Sequence, residues 1–323
     1  MADESYIQLA IEIAKKGEGS VSPNPLVGCV ITKNNKIIGA GYHQKFGAAH
    51  AEINTINSAT ESLEGSTLYV NLEPCSHYGK TPPCTERIIK EKIKRVVIGT
   101  LDVNPLVSGN GVKALKKAGV EVKVGILEKE CIELNKFFVK YISQKLPYVT
   151  IKAAQTLDGM IADKNNVSEW ISSEQSRNYV HSLRAKYDAV LIGSETARRD
   201  NPKLTVRMFE GRNPYRIILD SKLNLKMDLN LFKNNKDKKT IIVTIDDNRS
   251  KKSKIKKLEQ LGVKLVFVKK NHNARIHLKT MLKEVREMGI ASVLVEGGAK
   301  IFSSFVKQNL FDDLLLFVSP KIL

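Results

Sequence analysis

One imidazole and two thiols, carried in two short strings, constrain this chain more than any other feature. The first string is His50-Ala51-Glu52. The second is Pro74-Cys75-Ser76-His77-Tyr78-Gly79-Lys80-Thr81-Pro82-Pro83-Cys84. His50, Cys75 and Cys84 form a three-ligand zinc set with a fourth position left for water, the composition of a catalytic metal site. A structural clip needs a fourth protein ligand, and none is evident beside these strings. Glu52 can move protons without binding the metal. Ligands this far apart in sequence meet only if the fold brings two element starts together. His50 precedes a helical stretch over residues 51–63. Cys75 follows a strand over residues 67–72, and Cys84 opens a helix over residues 84–92. Two helix N-termini facing each other would help hold the thiolates ionised.

The rest of the first half alternates strand and helix. Tyr6, Leu9, Ala10 and Ile13 have helical spacing within residues 4–16. Residues 27–32 and 37–42 read as a hairpin around Lys33-Asn34-Asn35-Lys36. Strands follow over 95–100 and 120–124, with helices over 112–118 and 128–143. Lys145-Leu146-Pro147 reads as a linker, and 323 residues suit two domains, 1–145 and 146–323. Beyond it, strands are expected over 148–154, 188–193, 215–220, 240–245, 263–269 and 292–296, with helical stretches between several of them. Such alternation predicts an α/β domain with a largely parallel sheet.

Bulk properties narrow the function classes. The formal net charge is +18, which raises nucleic acid as a partner. The lysines are scattered, however. The densest run, Lys251-Lys252-Ser253-Lys254-Ile255-Lys256-Lys257, reads as a solvated helix face with no aromatic ladder beside it. A generally basic surface favouring small anionic substrates is the reading adopted, against a nucleic-acid partner. No apolar stretch is long enough for a membrane span, and Met1-Ala2-Asp3-Glu4-Ser5 lacks signal-peptide character. The expected location is therefore cytoplasmic, with no membrane partner. Cys29 and Cys131 read as buried small apolar groups. Homo-oligomers are common, so a dimer or tetramer is the default expectation, although no residue pattern shows one.

The metal strings resemble the zinc-deaminase signature, in which ammonia is displaced from a ring carbon. The long loop between Cys75 and Cys84 is similar to that of the bifunctional riboflavin-biosynthesis deaminase–reductase family. Nucleoside and tRNA deaminases usually carry two residues there. Ser22-Pro23-Asn24-Pro25-Leu26-Val27-Gly28, Gly41-Tyr42-His43 and Asp102-Val103-Asn104-Pro105 match the same family, in the same order. The resemblance implies a cytidine-deaminase-like α/β/α zinc domain followed by a dihydrofolate-reductase-like α/β domain. It implies that Asn24 and His43 contact a pyrimidine. It places His77 and Lys80 at a ribose phosphate, with Asp102 and Asn104 nearby. By residue type alone Asn24 could be a turn residue, and His77 and Lys80 ordinary loop residues.

The second half says less by itself. Ser292-Val293-Leu294-Val295-Glu296-Gly297-Gly298-Ala299-Lys300 runs from a strand through a glycine pair into a helix, a start that suits phosphate. It lacks the full dinucleotide fingerprint. Lys152-Ala153-Ala154-Gln155-Thr156-Leu157-Asp158-Gly159 and Gly193-Ser194-Glu195-Thr196-Ala197 resemble the family's reductase motifs. The resemblance implies that Ala154, Trp170, Thr196, Asp200, Ser221 and Gly298 line an NADPH site. It implies that Ser168, Arg184, Leu204, Arg207 and Glu296 hold the substrate, Arg184 and Arg207 being suited to phosphate. The implied chemistry is hydride transfer to C1′ of a ring-opened ribosylamine. The small phosphorylated pyrimidine substrate, Zn2+ and NADPH all enter by this resemblance.

Two rival readings stay open on sequence: a nucleoside or tRNA deaminase with an unrelated appendage, and a zinc-containing RNA-binding protein. The final residues, Val318-Ser319-Pro320-Lys321-Ile322-Leu323, stop where similar chains continue. The expectation is an open sheet edge and a reductase half weaker than the deaminase half. Grafting on a family-like tail should then raise reductase turnover and melting temperature; unchanged values would refute the expectation.

Overall fold

Helix α1 (Asp3–Ala14) opens the chain of this computed structural model, which describes residues 2–78, 82–105, 107–161 and 172–322. The chain divides into two units, Met1–Lys145 and Leu146–Leu323. In the first unit α1 is followed by β1 (Gly28–Lys33), β2 (Lys36–Tyr42), α2 (Ala51–Asn57) and β3 (Thr67–Leu72). Then come α3 (Cys84–Lys90), β4 (Arg95–Thr100), α4 (Asn110–Lys117), β5 (Glu121–Val124), α5 (Glu128–Leu134) and α6 (Lys136–Ser143). The sheet order is β2-β1-β3-β4-β5. Strand β1 is antiparallel to both neighbours, while β3, β4 and β5 run parallel.

Side chains alternate across a strand, so each central strand feeds two cores. Cys29, Ile31, Leu68, Val70, Val96 and Ile98 pack with Ala51 and Ile56 of α2, Ile88 of α3 and Leu115 of α4. Val30, Tyr69 and Val97 pack instead with Tyr6, Ile7, Ala10 and Ile11 of α1 and Cys131 of α5. Burial on both faces is why β1, β3 and β4 read as near-continuous apolar runs. At Gly28 a Cβ would lie 2.0 Å from the Ala10 carbonyl oxygen, so only glycine lets α1 approach β1 this closely.

Two helices differ from the sequence pattern, each for a local reason. The helix expected over 51–63 stops at Asn57, because the following residues bond to the hairpin. Ser58 Oγ donates to the Ala40 carbonyl, and the Thr60 N–H donates to the Ile38 carbonyl. The single helix expected over 128–143 is broken at Asn135. The buried Asn135 side chain accepts from the Leu26 N–H at 2.7 Å and donates to the Leu26 carbonyl at 2.9 Å. Asn71 donates to the same carbonyl at 2.9 Å and accepts from the Gly28 N–H at 2.8 Å. Two buried amides thus fix the segment that follows Asn24.

The second unit continues with β6 (Tyr148–Thr156), α7 (Glu174–Lys186), β7 (Ala189–Gly193), α8 (Ser194–Asp200), β8 (Tyr215–Leu219), α9 (Asn230–Lys233) and β9 (Thr240–Ile245). It closes with α10 (Lys252–Gln260), β10 (Lys264–Val268), α11 (Leu278–Glu287), β11 (Ser292–Gly297), α12 (Ala299–Lys307) and β12 (Asp313–Ser319). The sheet order is β10-β9-β8-β7-β11-β6-β12, and every pairing is parallel. Val149, Leu191, Ile217, Ile241 and Val293 form one core with Met281, Leu282 and Val285 of α11 and Phe305 of α12. Strand β12, absent from the sequence expectation, ends the sheet beside β6. Its pattern is half-exposed, with Leu314, Leu316 and Val318 at 55%, 45% and 52%. A strand covered on one face only lacks the continuous apolar run that marked the others. Among the described residues no helix is long and apolar enough to cross a membrane.

An ion cluster ties α1 to the first sheet. Asp3 accepts from Arg95 Nη1 and Nη2 at 2.8 and 2.9 Å and from Lys123 Nζ at 2.9 Å. The Arg95 hydrogen bond, opposed by burial and reinforced by Lys123, holds the Asp3 carboxyl well below the usual carboxylate range. A carboxyl depressed on folding adds stability above its unfolded pKa, near 3.8 here, and loses it as pH falls through the folded value. Asp3→Asn should therefore destabilise the chain by about 1–2 kcal/mol at neutral pH. In thermal melts at a series of pH values, the gap to the unaltered chain should narrow below the unfolded pKa. A gap independent of pH would show that the charge is not what stabilises.

Candidate active sites

The N-terminal metal triad is assembled by three element boundaries. His50 is the residue just before α2, Cys75 follows the end of β3, and Cys84 is the first residue of α3. The His50 Nδ1 atom lies 3.6 Å from Cys75 Sγ and 3.4 Å from Cys84 Sγ, and all three ligand atoms fall within 4.8 Å of one another. Zinc bonds of about 2.0–2.1 Å to nitrogen and 2.3 Å to sulfur at tetrahedral angles require N···S separations of about 3.6 Å. The donor set fits zinc in both chemistry and spacing. The Cys84 backbone N–H donates to Cys75 Sγ at 3.4 Å, and Thr85 N–H and Oγ1 both donate to the Cys75 carbonyl at 3.2 Å. Hydrogen bonding from Cys84, against the opposing effect of burial, and from His50 holds the Cys75 thiol down at about 4. Cys84 is pushed up by its hydrogen bond with Cys75 and by burial.

Glu52 stands two residues into the same turn and is buried. Burial pushes its carboxyl up to about 7, and the neighbouring Cys75 charge adds to the effect. A cavity of about 320 Å³ is lined by Glu52, His50 and Cys75 together with Asn24, His43, His77, Asp102 and Asn104. The structure therefore brings the described deaminase-site residues from the sequence reading to one place: all of them line this cavity except Cys84, which is buried beside His50 and Cys75. Lys80 lies outside the described residues.

Within the cavity His43 Nδ1 lies 3.0 Å from the Ala49 carbonyl and Nε2 3.1 Å from Asn24 Nδ2. A neutral ring meets both contacts, donating through Nδ1 and accepting through Nε2. Burial favours that neutral form by pushing the His43 pKa down. The pair fixes the Asn24 amide and leaves its Oδ1 without a partner among the described residues. His77 Nδ1 is likewise buried without a partner among the described residues. Asp102, raised to about 6 by burial, accepts from the Asn104 N–H at 2.7 Å.

The second unit holds a larger cavity of about 1070 Å³ at the carboxyl ends of its strands. Ala154, Thr196, Asp200, Ser221, Glu296 and Gly298 all line it. At Gly297 a Cβ would meet Thr196 Cγ2 at 2.9 Å, and Gly298 has φ +97°, so the turn into α12 is a cradle that side chains would fill. The backbone N–H groups at the start of α12 suit a pyrophosphate. The residues fit an extended, phosphate-bearing cofactor.

Arg184 does not line that cavity. Its Nε and Nη2 donate to the two carboxylate oxygens of Glu296 at 2.7 and 2.6 Å. Burial alone would raise the Glu296 pKa, but Arg184, joined by Lys152 and His181, holds the carboxyl down. Leu204 is buried with φ +53° and Arg207 is exposed, hydrogen-bonded to Thr205 Oγ1 at 3.2 Å. Neither lines the cavity in this structure. Ser168 and Trp170 lie outside the described residues. The sequence reading assigned no role to Lys152. It lines the cavity, and its pKa is lowered by burial, against the attraction of Glu296. An isolated lysine in a strand carries no spacing signal.

Residues 1–100 match the family described as the cytidine and deoxycytidylate deaminase zinc-binding region, and residues 147–323 match the RibD C-terminal domain. The chain belongs to the RibD family. The riboflavin biosynthesis protein RibD of Aquifex aeolicus is 45% identical, over 99% of this chain and 88% of the relative. That of Bacillus amyloliquefaciens is 43% identical, over 99% and 85%. The crystal structure of a diaminohydroxyphosphoribosylaminopyrimidine deaminase/5-amino-6-(5-phosphoribosylamino)uracil reductase from Thermotoga maritima superimposes with a TM-score of 0.87. It is 43% identical, over 99% of this chain and 87% of that one. RibD of Acinetobacter baumannii gives a TM-score of 0.89 at 38% identity, over 99% and 87%.

As a RibD protein this is a deaminase and a reductase of riboflavin biosynthesis, using Zn2+ and NADPH. An unrelated second half or a repurposed RNA-binding protein is not favoured, because the relatives match through both units. Substitution of Cys84 by serine should weaken zinc binding by more than the roughly 10–100-fold that outer partners of a metal ligand contribute. Competition with a chromophoric chelator measures this. Unaltered affinity would remove Cys84 from the ligand set.

Proposed function

We propose that the N-terminal unit hydrolytically deaminates 2,5-diamino-6-ribosylamino-4(3H)-pyrimidinone 5′-phosphate and that the C-terminal unit reduces the ribosyl group of the product to ribityl. The observation that carries this reading is the convergence of His50, Cys75 and Glu52 with Asn24, His43 and His77 on one cavity. Zinc, when bound by His50, Cys75 and Cys84, supplies the activation of water near neutral pH. Glu52 takes a proton from the attacking water and returns it to the departing amino nitrogen, so that ammonia leaves and a ring carbonyl forms. A buried carboxyl poised near neutrality is suited to both transfers. Asn24, oriented by His43, offers its amide oxygen to the amino and ring N–H groups of the pyrimidine. His77, whose Nδ1 has no partner among the described residues, and Lys80 receive the phosphate, with Asp102 and Asn104 beside the ribose.

In the second unit NADPH supplies the hydride to C1′ of the ring-opened sugar. Gly298 and the start of α12 hold its phosphates, and Ala154, Thr196, Asp200 and Ser221 line the remainder; Trp170 is assigned to the cofactor by the resemblance alone. Glu296, kept ionised and oriented by Arg184, faces the substrate; for Ser168 and Leu204 a substrate role rests on the family resemblance alone. Arg207, whose guanidinium is exposed, serves the substrate phosphate. A phosphorylated substrate and a nicotinamide cofactor fit work in the cytoplasm.

Mass spectrometry tests the assignment directly. The zinc-loaded chain should add about one mass unit to the diaminopyrimidine substrate without NADPH, and about two more with it. Glu52→Gln should slow the first shift by roughly 10²–10⁴-fold, while leaving zinc content and reduction of supplied deaminated product unchanged. No first shift in the unaltered, zinc-loaded chain would overturn the substrate assignment.

A further inference from the structure

Glu73 sits between the last residue of β3 and the Pro74-Cys75 ligand segment, and it is 4% exposed. No cation pairs with it among the described residues. Its carboxylate is instead satisfied by backbone. Oε2 accepts from the Asp102 N–H at 3.2 Å and the Gly109 N–H at 2.9 Å, and Oε1 accepts from the Val112 N–H at 3.1 Å. Two of these donors belong to the start of α4, where a negative charge is favoured. The third belongs to the loop carrying Asp102 and Asn104 into the deaminase cavity. The same junction is pressed from the other side. A Cβ on Gly111 would lie 2.1 Å from the Pro74 carbonyl oxygen and 3.1 Å from Glu73 Oε1.

We propose that Glu73 is a positioning residue of the deaminase site, a strut that sets the distance between the metal-ligand segment and the Asp102–Asn104 loop. Glu73 is also among the residues lining the deaminase cavity, but in this role it acts through the loop it holds and not on the reacting atoms. A carboxylate does this better than a neutral cap because it accepts several N–H bonds at once from separate segments, each of them charge-assisted. Backbone donors cannot move as side chains do, so the three bonds fix the loop's path and not merely its presence. Glu73→Gln preserves size but turns an NH2 group toward backbone donors, leaving at least one bond unmade and two donors facing each other. The loop would then shift relative to the zinc while each piece stays folded. The inference rests on the reading that Asp102 and Asn104 face the substrate.

The test uses the full, zinc-loaded chain, whose reductase activity serves as an internal control. Glu73→Gln should raise the deaminase KM on the order of 10-fold or more, with kcat, zinc content and reductase turnover close to those of the unaltered chain. Gly111→Ala should move KM in the same direction. An unchanged KM would overturn the proposal, as would a loss confined to kcat or zinc occupancy, which a merely structural role produces. Asn104→Ala separates the two layers of argument: if it leaves KM unchanged, the substrate-facing reading of the loop fails. If Asn104→Ala raises KM and Glu73→Gln does not, the strut alone fails. Hydrogen exchange on the unaltered chain gives a reading free of folding defects. The Asp102, Gly109 and Val112 amides should exchange slowly beside their loop neighbours, and fast exchange at all three would sink the idea.

Discussion

Parallel pairing of β3 with β4, in register from Thr67 opposite Arg95 to Leu72 opposite Thr100, is the constraint on which the deaminase unit depends. Two parallel strands end at the same level, so the segments leaving them begin side by side. One of those segments carries Glu73, Pro74 and Cys75, and the other carries Asp102 and Asn104. A ligand site outside the carboxyl ends of parallel strands follows from that geometry. Helices α2 and α3 then bring His50 and Cys84 to the same end, because their inner faces pack on the core that β1, β3 and β4 share.

The second unit obeys the same rule with a different set of strands. Ala154 lies near the end of β6, Ser194 and Thr196 follow β7, Ser221 follows β8, Gly297 ends β11 and Gly298 follows it. All of them line one cavity. Each unit keeps its own core, and each places its polar groups where strands stop and backbone N–H groups are exposed. Chemistry is confined to these ends because the interiors of the central strands are covered on both faces by apolar side chains.

Buried polar groups decide the details that apolar patterning leaves open. Asn71 and Asn135 hold the Leu26–Gly28 segment, and through it Asn24. Glu73 holds the loop beyond β4. Arg184 and Glu296 hold each other at the mouth of β11. Such groups fold favourably only when fully hydrogen-bonded, so each one specifies a single local path for the backbone.

The alternation of strand and helix, the hairpin and the donor types of the candidate metal set His50, Cys75 and Cys84 were legible in the chain itself. They depend on spacing and residue type, which tertiary structure does not alter. The break at Asn135 and the early end of α2 were not, because helical periodicity continues through both places and the bonds that interrupt it come from distant segments. Strand β12 escaped notice because only one of its faces is covered. The sequence by itself supplied the donor types, since the imidazole of His50, the thiols of Cys75 and Cys84 and the carboxyl of Glu52 suit zinc chemistry whatever the fold around them. Only the tertiary structure decided that Arg184 is spent on Glu296, that Lys152 enters the second cavity, and that Glu73 joins two loops. Each of those facts is a contact between residues far apart in the chain, set by how the strands pair and not by any local pattern.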